Sequence, residues 1–214
     1  MLLFYWSRLF RHLGGLIYPL RALVEVIEFR VWLDRHFGTI SIYNHKSALL
    51  DEIIRIASDQ KHVTYHEFGV AFGETALYLT GNTKVPFDYH GYDTFEGLPK
   101  AWRRLPKGAL TSHGESPAVF GDNIQFHTGL IVETIDSVDF TSNGMKCVLF
   151  DFDLYEPTLF TYLHIKNQLN SGDIVYFDEA FDSDERVIIE NYFLNDFTFK
   201  VLGASVFGIA FQLT

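Results

Sequence analysis

Acidic side chains recur in this chain where an apolar run stops. Glu67 follows the run Val63 to Tyr65, and Asp93 follows Phe87 to Tyr92. Asp151 and Asp153 follow Lys146 to Phe150, and Asp178 and Glu179 follow Val175 to Phe177. If those runs are strands of an open α/β sheet, the acids crowd the carboxyl edge, where such sheets bind ligands. Carboxylates gathered in that way are costly without positive charge. Two cations would answer the demand: a charged organic ligand near Glu67 and Asp93, and a hard divalent metal near Asp151, Asp178 and Glu179. A metal of that kind takes oxygen ligands and keeps waters that a pair of hydroxyls can replace. It would lower the hydroxyl pKa and orient its oxygen. Asp153 and Glu179 also read as caps of the helices that follow them.

The turn after the first run is Glu67-x-Gly69-x-x-x-Gly73, leading into the helix-compatible Glu74-Thr-Ala-Leu-Tyr-Leu-Thr80. Gly69 permits a tight turn, and Gly73 lets the helix pack close to the strand. Such a strand–turn–helix lets a nucleotide-like ligand touch backbone, although an ordinary turn has the same pattern. Asp93 would stand at the tip of the neighbouring strand, where an acid holds the two hydroxyls of a ribose. There is neither Gly-x-Gly-x-x-Gly nor Gly-Lys-Ser/Thr, which argues against a nicotinamide site and a P-loop. The Gly- and Pro-rich segment 97–122 reads as a lid or binding surface. It carries His113, a general base, a substrate contact or a solvated loop residue, and Trp102-Arg103-Arg104, a contact to an anionic or sugar-bearing substrate or a solvated rim. His66 reads as packed in its strand.

The elements that must position these residues are legible from periodicity. Candidate strands are 62–67, 87–93, 124–128, 146–151, 173–178, 197–202 and 206–213. Helical patterns fall at 47–59, 74–81, 130–137, 155–170 and 184–194. This alternation predicts an α/β fold with a doubly wound, mostly parallel sheet. The last two strands, separated only by Gly203-Ala204-Ser205, must form an antiparallel hairpin. With 214 residues, 48% hydrophobic, the chain can bury a core. A net charge of −10 argues against nucleic acid as partner. The single Cys147 reads as buried packing in a reducing, cytoplasmic setting. Residues 1–45 read as a helical extension to a domain spanning 46–214. Leu3, Trp6, Phe10, Leu13, Ile17 and Leu20 recur at helical spacing among Arg8, Arg11 and His12, and a second helical run covers Ala22 to His36. No stretch approaches the ~20 apolar residues of a spanning helix, and no signal peptide is read. The extension is either a lid or contact between two copies in a homo-oligomer, or, through residues 1–30, a basic amphipathic helix on an anionic membrane surface.

Three co-linear segments carry a family resemblance: Asp93-Thr-Phe-Glu-Gly-Leu-Pro-Lys-Ala-Trp102, Asp151-Phe-Asp-Leu-Tyr-Glu-Pro-Thr158 and Gly172-Asp-Ile-Val-Tyr-Phe-Asp-Glu179. From about His62 onward the chain resembles the macrocin O-methyltransferase-like family of class I S-adenosylmethionine (SAM)-dependent methyltransferases. Pro157 stands where that family has Ser, and Glu179 where it commonly has a second Asp. The resemblance implies a Rossmann-like seven-stranded fold, with SAM contacts at Glu67, Gly69, Gly73, Asp93, Thr94 and Phe95 and adenine contacts at Gly129 and Leu130. It also implies Mg²⁺ held by Asp151, Asp178 and Glu179, with Asp151 helping to deprotonate the hydroxyl of a small-molecule acceptor such as a sugar or glycosylated metabolite. The rival expectations are a metal-independent methyltransferase and a non-catalytic SAM-binding or membrane-associated scaffold.

Overall fold

The chain divides into two compact units, Met1–Ile40 and Ser41–Thr214. The computed structural model describes residues 23–138, 140 and 144–214; the helix read over residues 3–20 lies outside them. In the first unit the described residues form one helix, α1, over 23–37. Trp32 stacks on Phe29 at 5.8 Å and meets Phe37 edge-on at 5.3 Å, while Leu23, Val24, Ile27 and Val31 are exposed. No described helix is long and apolar enough to cross a membrane.

The second unit is built on a seven-stranded sheet in the order β3-β2-β1-β4-β5-β7-β6. Its strands are β1 (Val63–Phe68), β2 (Phe87–Asp93), β3 (Ile124–Thr128), β4 (Met145–Phe150), β5 (Ile174–Phe177), β6 (Phe199–Ala204) and β7 (Ile209–Leu213). The first five are mutually parallel, and β7 runs antiparallel to both β5 and β6. β1, β4 and β5 are buried along their whole length, as strands covered on both faces must be, which explains their continuous apolar runs.

Successive side chains point to opposite faces. On one face Tyr65, Cys147, Leu149, Ile174 and Tyr176 pack with helices α2 (Lys46–Ala57) and α3 (Glu74–Asn82). α2 brings Leu49, Leu50, Ile53, Ile54 and Ala57 to that layer, the one-sided spacing of an amphipathic helix. On the other face Phe68, Phe150, Phe177, Phe193 and Phe211 form a ring-on-ring layer, joined by Tyr162 of α5 (Tyr155–Ile165). Burying each such ring contributes roughly 1.5–3 kcal/mol. α4 (Ile131–Thr134), α6 (Ser183–Ile188) and α7 (Leu194–Asp196) are short, and a π-helical segment (Ile189–Phe193) joins the last two.

The terminal hairpin differs from its sequence reading. Gly203 and Ala204 belong to β6, and the turn is 205–208. Ser205 makes that turn: its hydroxyl accepts the N–H groups of Phe207 and Gly208 at 3.3 and 2.9 Å. Gly203 sits instead at a register shift in the β6–β7 ladder. A Cβ there would lie 2.5 Å from Tyr43 Cε2 and 2.9 Å from the Ser41 carbonyl oxygen. Its missing side chain makes room for the segment that runs beside β6, not for a turn.

Candidate active site

The carboxyl ends of the parallel strands carry the acids. The ladder runs one residue past the strands: Asp151 N–H donates to Phe68 O at 2.8 Å, and Asp178 N–H to Phe150 O at 3.0 Å. Glu67, Asp151 and Asp178 therefore stand on adjacent tips. Between β1 and α3 the chain turns at Gly69, with φ +94°, where a Cβ would lie 1.9 Å from the Asp151 carbonyl oxygen. Only glycine allows the turn and the tip of β4 to approach so closely. Gly73 has another role than the one read from sequence: the space a Cβ would take there is filled by Pro117 of the 97–122 loop, 2.5 Å away, not by the strand.

Asp93 ties this turn to β2. Its Oδ2 accepts the N–H groups of Val70 and Ala71, and its Oδ1 that of Phe95, all at 2.8 Å. Ala71 is held at φ +47°, a conformation that persists only where its surroundings enforce it. Glu67 is 1% exposed and receives the Tyr89 hydroxyl. Burial pushes its carboxyl up to about 8, against the Tyr89 hydrogen bond and the charge of Lys46.

Around Asp151 lies a second acidic group. Lys46 Nζ stands 2.9 Å from Asp151 Oδ2 and 2.9 Å from Asp178 Oδ1, and the Tyr176 hydroxyl also donates to Asp178 Oδ1. Burial works against the Lys46 charge, but the two carboxylates outweigh it and hold the ammonium protonated. One oxygen from each of Asp151, Asp153 and Glu179 lies within 4.8 Å of the others. Glu179 Oε2 and Glu185 Oε1 are buried with no hydrogen-bond partner. Burial, then the neighbouring carboxylates, push Asp151, Glu179 and Glu185 well up, and Asp153 to about 7 against the pull of Lys46. The helices do not use these acids as caps. α5 is served by Asp184, whose Oδ2 accepts the Tyr155 N–H at 3.3 Å, and α6 by Asp182. Asp153 instead sits at φ +63° ahead of α5.

A cavity of about 680 Å³ opens here, a size that suits a small-molecule site. Glu67, Gly69, Asp93, Thr94, Gly129 and Leu130 line it, as do Asp151, Asp153, Asp178 and Glu179. Phe95 is buried against Phe126 at 6.0 Å, outside the lining. From the 97–122 loop come Leu98, Pro99, Trp102, Leu105 and Leu110. Arg103 does not line it: its guanidinium pairs with Asp182 at 2.8 Å and covers the Phe181 ring. Exposed His113 also lies outside. His66 is packed, stacked on Phe140 at 4.4 Å, and Cys147 is buried in β4. Sequence reasoning missed Lys46, the only basic side chain among the described lining residues. The demand for positive charge was readable, but nothing local singles out this lysine at the start of an amphipathic helix.

No protein-family model matches the sequence, and no curated protein matches it. Solved structures do. The O-methyltransferase NovP superposes with a TM-score of 0.58 at 15% identity, over 78% of this chain and 80% of its own. A structure of CalS11, a calicheamicin methyltransferase, gives 0.55 at 20% over 77% and 76%. The apo form of CalS11, described as a TDP-rhamnose 3'-O-methyltransferase, gives 0.53 at 22% over 78% and 79%. The fold is that of the class I methyltransferases. At such identities the likeness is one of architecture, and chemistry has to be argued from the site.

Proposed function

We propose that the chain is a SAM-dependent O-methyltransferase acting on a hydroxyl of a small molecule. The observation that carries this reading is the pairing of two acidic groups in one cavity: Glu67 and Asp93 about the glycine turn, and Asp151, Asp153 and Glu179 beside it. The first group suits a ligand with an ammonium, a sulfonium and a ribose. Bound SAM would supply an electrophilic methyl group. Thr94, Gly129 and Leu130 line the same cavity and would serve the nucleoside part of the ligand. The acceptor oxygen would form its bond to the methyl carbon as the carbon–sulfur bond breaks, in line, while its proton passes to the Asp151 carboxylate. Alignment and charge placement are the protein's contribution.

A hard divalent ion such as Mg²⁺ fits the oxygen donors of Asp151, Asp153 and Glu179, and the orphaned Glu179 Oε2 favours that set. It would lower the acceptor hydroxyl's pKa. Asp178, assigned to the metal from sequence, has its Oδ1 engaged by Lys46 and Tyr176. A sugar or glycosylated acceptor is the finer reading; it draws on the TDP-rhamnose activity described for CalS11 and, within the cavity, on the apolar wall of Leu98, Trp102 and Leu110. Calorimetric titration tests the core of the proposal: saturable SAM binding is expected, and none at millimolar SAM would overturn it. Labelled methyl transfer to a panel of sugar nucleotides, with and without chelator, then tests acceptor class and metal dependence.

A further inference from the structure

The Asp151–Asp178 pair already holds a cation, and the chain supplies it. α2 is fixed by the burial of Leu49, Leu50 and Ile53, each 2% exposed or less. Its first residue, Lys46, is thereby set over the tips of β4 and β5. The ammonium reaches one oxygen of each carboxylate at 2.9 Å and lies 5.9 Å from the centre of the Tyr176 ring. Those carboxylates are 22% and 13% exposed, so their mutual repulsion is poorly screened by water. Removing one partner from such a set leaves charge uncompensated, the costly outcome for buried ion pairs. A divalent ion bridging Asp151 and Asp178 would meet the ammonium head-on. One oxygen from each of Asp153 and Glu179 converges with Asp151, whereas the ion pairs of Lys46 go to Asp151 and Asp178.

We propose that Lys46 is the resident cation of the Asp151–Asp178 pair and a positioning residue of the site. It holds the Asp151 carboxylate in place and keeps divalent ions off the seat between the two aspartates. The role assigned to Asp151 rests on the methyltransferase reading, whereas the exclusion of metal from that seat can be measured without it.

The test uses the full chain and Mn²⁺ as probe, with free and bound ion resolved by electron paramagnetic resonance. Lys46→Met vacates the seat, so Mn²⁺ affinity is expected to rise by at least about tenfold, or about 1.4 kcal/mol, over the wild type. Lys46→Arg keeps the charge and is expected to stay within about threefold of the wild type. Lys46→Gln stands in if the methionine variant does not fold, and SAM titration of each variant checks that the cavity is intact. No gain in Mn²⁺ affinity in a folded Lys46→Met or Lys46→Gln chain overturns the proposal, including the case in which neither chain binds Mn²⁺. So does an arginine variant that behaves like methionine, because the lysine would then act through packing alone. Failure of the wild type to bind SAM would instead sink the methyltransferase reading, and the Mn²⁺ comparison would still be readable.

Discussion

Glu67 shows what one side chain commits the molecule to. Its carboxyl is buried and accepts the Tyr89 hydroxyl, and burial pushes it up from 4.5 to about 8. Between those values the folded chain keeps a proton that the unfolded chain gives up. The contribution to stability is therefore complete below about pH 4.5 and is lost as pH rises through about 8. Glu67→Gln removes this dependence, so the variant should gain on the wild type between pH 6 and 9 by on the order of 1–3 kcal/mol, read from urea unfolding. A cationic ligand draws the same carboxyl toward its ionised form. SAM binding at pH 7 should then release a proton, seen as a binding heat that varies with the ionisation enthalpy of the buffer. A buffer-independent heat in the wild type would remove Glu67 from the ligand's electrostatics. Residues of this kind were legible in the sequence because an acid that ends an apolar run has few other uses. Lys46 was not, because its partners are 105 and 132 positions away and only the folded chain brings them to it.

At the scale of elements, two glycines with one backbone conformation separate local strain from close approach. Gly69 and Gly172 both have φ +94°, but a Cβ on Gly69 meets the Asp151 carbonyl oxygen at 1.9 Å, while nothing lies within 4 Å of one on Gly172. Gly172→Ala should cost about 1–2 kcal/mol, the strain of a left-handed alanine. Gly69→Ala should cost at least about 2 kcal/mol more and lose SAM binding, because the turn must leave the tip of β4. Equal costs in urea unfolding would mean that the turn is free to shift. The strands themselves were readable to within about two residues, since buried parallel strands write continuous apolar runs. The hairpin was not. Gly203 looks like a turn residue, but its role is to admit Ser41 and Tyr43 beside β6, a contact invisible to local pattern. The π-helical stretch over Ile189–Phe193 was likewise hidden inside an ordinary helical period.

For the whole molecule, the two ends of the sheet treat buried charge differently. At the amino end of β4, Asp173 accepts the Lys146 ammonium at 3.1 Å, together with the N–H groups of Lys146 and Asn170 at 2.8 Å each, so that buried charge is fully partnered. At the carboxyl ends the Lys46 ammonium pairs with Asp151 and Asp178, and Glu179 Oε2 and Glu185 Oε1 are left without hydrogen-bond partners. Spacing along the chain could place acids on strand tips. Only the strand order, with β1 between β2 and β4, makes Glu67, Asp93 and Asp151 neighbours. If a ligand completes this end, as the proposed function requires, stability should be linked to it. SAM at about a hundred times its Kd should raise the unfolding free energy by about 2.7 kcal/mol, shifting the urea midpoint with the slope unchanged. Sodium chloride at matched ionic strength screens the acids without filling the cavity, and should reproduce little of that shift. A midpoint that salt moves as far as SAM does would mean that the acidic end needs only diffuse counter-ions, and the case for a built cofactor site would fall with it.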